Sequence, residues 1–161
     1  MTYPKIDESK LPEVMKIIDT AANLMEEKDC TDDKEAQKEL DALQKELREL
    51  TSNKNIEISA YQEYWAYTSL ESIARSALLG SPEKHNLTDE ELTELIRKVY
   101  TLDFDAPEDE TEALNDYFLE VLEVETGLDN FTDYIYEPSE VGLAEDAELD
   151  EVIAKILADR K

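Results

Sequence analysis

The chain has 161 residues and a formal net charge of −26, from 42 Asp/Glu against 16 Lys/Arg, with 41% hydrophobic residues, enough for one domain or two small ones. Its three glycines cannot write a GxGxxG or GxxxxGK phosphate loop, and Cys30, the single cysteine, excludes an intrachain disulfide and points to a reducing compartment. No apolar run approaches transmembrane length and "MTYPKIDESK" lacks the apolar core of a signal peptide, so a cytoplasmic protein without a membrane partner is expected.

The first predicted element is a helix over about Ser9–Lys28, with Leu11, Val14, Met15, Ile18, Ala22 and Met25 at helical spacing. Pro12 falls in its first turn, where the missing N–H is tolerated. "KDCTDD" makes a turn. A second helix carries Ala36, Leu40, Leu43, Leu47 and Leu50, a narrow stripe suited to antiparallel packing on the first as a helical hairpin. Strand-like alternation is confined to residues 56–60. Tyr61, Tyr64, Trp65 and Tyr67 then form an aromatic-dense piece, either core or an interdomain seam. Thr68 with Glu71 predicts a capping box for a third helix whose face is Leu70, Ile73, Ala74, Ala77 and Leu78 and whose end is Gly80. "GSPEKHN" reads as a linker, which divides the chain into residues 1–85 and 86–161.

The second half has a clearer grammar. Thr88 and Glu91 form a capping box, and Leu87 and Leu92 flank it as a hydrophobic staple. The helix they start carries Leu92, Leu95, Ile96 and Val99. After "DFDAPEDE" comes a helix with Leu114, Phe118, Val121 and Leu122 inward, closed by Gly127. A short aromatic segment follows, Asp133 to Pro138. The final helix places Leu149, Val152, Ile153, Ile156 and Leu157 on one face. The expected fold is all-α.

Charge is unevenly spread. Residues 1–85 hold 11 Lys/Arg and 18 Asp/Glu, and residues 86–161 hold 5 and 24. Between Val99 and Ala154 there are 19 acids and no base. Such a surface repels nucleic acid and steers a strongly basic protein partner toward itself.

The order long helix, long helix, short helix, long helix, with "LTDEELTELIRKVY", "EVLEVETGLDNFTDYIYEP" and the segment "DYIYEP", resembles the immunity proteins of nuclease colicins and pyocins. The resemblance covers about Asn86 to Lys161. It implies a distorted four-helix bundle that binds the basic nuclease domain of a bacteriocin beside its active site and excludes nucleic acid by bulk and charge, without enzymatic activity or a cofactor of its own. It further implies an anchor of Asp133 and Tyr136 on the short helix. The toxin-facing positions of the preceding helix would be Glu112, Asn115, Asp116, Leu119 and Glu123. Where the family carries a second adjacent tyrosine this chain has Glu137, and Tyr134 stands on the other side of the motif. Independently of the family, a tyrosine on a short rigid helix offers large contact area at low rotamer entropy.

Other chemistries fit less well. Cys30 and His85 lie in a turn and a linker of different halves, a poor start for a nucleophile–base pair. "DFDAPEDETEAL" departs from a calcium loop at Pro107, Glu108 and Leu114, so no metal site is expected. A generic acidic adaptor or DNA mimic shares the charge argument and is the alternative function.

Overall fold

The computed structural model describes residues 4–161. Among them there is no strand; there are seven α-helices and five short 3₁₀ turns. No helix is long and apolar enough to cross a membrane. The chain divides into two compact units, one running to Ser81 and the other from Pro82 to Lys161, a cut a few residues before the end of the predicted linker.

In the first unit α1 spans Leu11–Glu27, α2 Lys34–Thr51 and α3 Leu70–Leu79. α1 packs against both other helices, so the expected hairpin is completed by α3 into a three-helix unit. The buried stripe of α1 is Leu11, Val14, Ile17, Ile18, Ala21 and Ala22. Met15 and Met25, expected inward, are only partly buried, whereas Ile17 and Ala21, outside the expected stripe, are core. Asp33 caps α2 by accepting from the Glu35 and Ala36 amides. The alternating residues 56–60 do not form a strand; Ile58–Tyr61 is a 3₁₀ turn. Side chains of α2 supply the backbone partners a ladder would have given. Arg48 Nε donates to the Ile56 carbonyl (2.8 Å), and the Ile58 amide donates to Gln44 Oε1 (2.9 Å). The predicted Thr68 cap of α3 is corrected to Ser69, whose hydroxyl accepts from the Ser72 amide. Thr68 is instead drawn into the preceding turn, its amide bonded to the Tyr64 carbonyl. Tyr61 and Tyr64 are core, whereas Trp65 and Tyr67 are 45% and 63% exposed.

In the second unit α4 is Asp89–Thr101, α5 Thr111–Thr126, α6 Phe131–Tyr136 and α7 Leu149–Asp159. α4 packs on α5 and α7, and α6 packs on the same two helices. The Thr88–Glu91 capping box forms in both directions. All four predicted α4 core residues are buried, as are Leu114, Phe118, Val121 and Leu122 of α5. Gly127 ends α5 at φ +70°, a conformation that favours glycine, and an added Cβ would lie 3.2 Å from the Lys161 Cβ. The chain end is fastened there, the Lys161 amide donating to the Thr126 carbonyl (2.9 Å).

Candidate protein-binding face

The site is built by a helix of six residues. Phe131, Tyr134 and Ile135 are its buried residues, at the i, i+3, i+4 spacing of one helical face. That leaves Thr132, Asp133 and Tyr136 on the other side. Tyr136 is 57% exposed, the highest value of any large hydrophobic residue in this unit. Pro138 begins a 3₁₀ turn, Pro138–Val141, and so stops the helix immediately after the ring.

Tyr134 does not share this outward position. It is 4% exposed, and its hydroxyl donates to Asp159 Oδ2 of α7 at 2.8 Å. Burial first, and then the Asp159 carboxylate, push the Tyr134 hydroxyl up to about 12, while the bond from Tyr134 holds Asp159 below the usual carboxylate range. Tyr134 is therefore a packing and tethering residue, and a partner contact from its side of the motif is closed off. The pattern Phe-x-x-Tyr-Ile already carries the helical spacing that buries it.

The five α5 positions fall at i, i+3, i+4, i+7 and i+11, a single face. Glu112 and Asp116 are exposed; Asn115, Leu119 and Glu123 are half-buried. Glu112 also lies in the first turn of α5, where the helix dipole favours an acid whatever else it does. The face is crowded with like charge. Desolvation, then Glu112, raises the Asp116 carboxyl; desolvation, then Glu120 and Asp129, raises that of Glu123. Asn115 joins this face to α6, its Nδ2 donating to the Tyr136 hydroxyl at a long 3.4 Å. No local signal in the sequence pairs these two residues, which are 21 positions apart. Asp133 is half-buried in the first turn of α6, and Glu137 is exposed at its end. The structure places neither in a hydrogen bond to the α5 face.

Four of the unit's bases pair with acids away from the α5 face. Arg97 pairs with Asp150 (2.6 Å), Lys98 with Asp105 (3.4 Å), Lys155 with Asp159 (3.3 Å) and Arg160 with Asp89. None of those acids belongs to the α5 face. In the other unit, burial and then Asp33 and Asp29 push the Cys30 thiol up, the reverse of an activated nucleophile. Among the described residues no group of three or more His, Cys, Asp or Glu side chains is arranged to hold a metal ion.

No protein-family model, curated protein or solved structure matches the chain.

Proposed function

We propose that the second unit binds a strongly basic protein domain, the nuclease domain of a bacteriocin, and inhibits it in the manner of an immunity protein. On this reading α4 to α7 are an immunity-type distorted bundle working in the cytoplasm. The observation that carries it is the exposed Tyr136 ring on an otherwise buried short helix, set beside a face of α5 with no base.

Two physical roles separate. The long-range field of Glu112, Asp116 and Glu123 speeds encounter and weakens with salt. The Tyr136 ring, with Asp133 beside it, would be buried on docking and would slow dissociation. A bound acidic body next to a nuclease cleft also turns away phosphates. Glu137, in place of a second tyrosine, makes the anchor more acidic and less apolar than in the family it resembles.

The test is stopped-flow association and dissociation, at two salt concentrations, against a basic bacteriocin nuclease domain. Tyr136→Ala should lose about 30- to 1000-fold in affinity, mainly through the off-rate, and keep the salt dependence. Neutralising Glu112, Asp116 and Glu123 together should act mainly on the on-rate. If Tyr136→Ala binds like the parent while neutralisation abolishes binding, the protein is a generic acidic adaptor instead.

A further inference from the structure

We infer that Asn115 is a positioning residue for Tyr136, retained at a cost to the stability of the free protein; the inference rests on the function proposed for the α5–α6 face. Asn115 Oδ1 is inaccessible to solvent and has no hydrogen-bond partner. Its Nδ2 has one, the Tyr136 hydroxyl at 3.4 Å. The assignment does not depend on which end is oxygen. Turned over, the oxygen would accept from Tyr136 and the amide group would be the orphan. Either way one end of a carboxamide is buried unpaired, which is destabilising. Leucine has the same number of side-chain heavy atoms branched at the same carbon, is a strong helix former and leaves no orphan. Packing and helix propensity therefore favour leucine, and the chain has an amide.

What an amide does there and leucine cannot is hold a hydroxyl. Tyr136 is the last residue of α6, followed by the break at Glu137 and Pro138. Among the described residues, the bond to Asn115 is the only hydrogen bond its side chain makes. Fixing an exposed ring before docking removes part of the ordering penalty of binding, roughly 2- to 12-fold in affinity for one side chain.

The experiment uses the full chain carrying Asn115→Leu, Tyr136→Phe, or both. In the free protein, Asn115→Leu should raise the unfolding midpoint of the α5 amides in hydrogen exchange by a few degrees. Three-bond couplings should show the Tyr136 side chain fixed in the parent and averaging over rotamers in Asn115→Leu. Tyr136→Phe should free the ring in the same way without the gain in stability. A lowered midpoint, or a ring as ordered in Asn115→Leu as in the parent, overturns the assignment. Against the nuclease domain, each single variant should lose about 2- to 12-fold and the double variant no more than either; additive losses also overturn it. The ring and the stability are read without a partner. Absence of any nuclease binding would therefore defeat the proposed function and leave Asn115 standing, whereas an unordered Tyr136 in the parent defeats Asn115 alone.

Discussion

The two units bury charge in opposite ways. In the first, the buried charge is a base: Arg75, 6% exposed, whose Nε lies 3.1 Å from Glu8. In the second it is an acid: Glu125, 7% exposed, whose carboxylate accepts from the backbone amides of His85 and Leu87. The difference follows from composition. With 5 bases against 24 acids beyond residue 85, and four of the bases paired at the surface, Glu125 takes its compensation from N–H groups. Charge-assisted bonds to backbone donors satisfy a carboxylate without a counter-ion. They also fasten the start of the unit to the end of α5, the helix that carries the candidate face.

The largest effect that would break this comparison comes from Glu125→Ala. It leaves two backbone donors unpaired, and the second unit should lose about 3 kcal/mol. Amide exchange along α5 under urea reads it. Arg75→Met keeps the aliphatic stem and takes the guanidinium away from Glu8, whose side chain is already 44% exposed and can rehydrate; the expected loss is nearer 1 kcal/mol. Trp65, the only tryptophan, reports the first unit alone by fluorescence. Equal losses would mean that the two buried charges are equivalent after all.

A middle-sized effect tests where the units agree. Tyr64 donates to Asp19 (2.7 Å) as Tyr134 does to Asp159, and burial first, then its aspartate, lifts each hydroxyl to about 12. Tyr64→Phe and Tyr134→Phe should each cost about 1 kcal/mol in their own unit. Because the folded value lies above the unfolded one near 10, these phenols favour the folded state in full below about pH 10. That contribution is lost as pH rises through about 12. Alkaline titration of the parent should weaken both units over that interval, and each Phe variant should weaken less in its own. A variant that follows the parent curve there would dissociate the tyrosine from the alkaline limb.

The smallest effect sharpens the contrast in surface charge. Asp116 and Glu123 have raised folded values, so their contribution to folding is largest in acid and is lost as pH rises through those values. Asp7 and Asp29 of the first unit are lowered instead, chiefly by the hydroxyls of Ser9 and Thr31, and gain nothing on mild acidification. Acidification from neutrality toward the carboxylate range should raise the melting temperature of the second unit by about 2 °C and leave the Trp65 transition where it is. A shift confined to the first unit would contradict the crowded α5 face.

Local chemistry determined much of this protein from its sequence. Periodicity and caps placed the long helices, since Thr88–Glu91, Gly127 and the α4 stripe act through neighbours three or four residues away. The break at Pro138 and the outward Tyr136 were legible for the same reason. Tertiary structure alone decided the rest. Ser69 displaced Thr68 as a cap because the turn before it claimed the Thr68 amide. Residues 56–60 left the strand pattern because α2 side chains met their backbone. The spacing of Phe131, Tyr134 and Ile135 separates Tyr134 from Tyr136, but nothing in "DYIYEP" announces Asp159 of α7 as the partner of the Tyr134 hydroxyl. Hydrogen bonds between residues 21, 25 or 40 positions apart leave no periodic trace, because they depend on where separate helices come to rest.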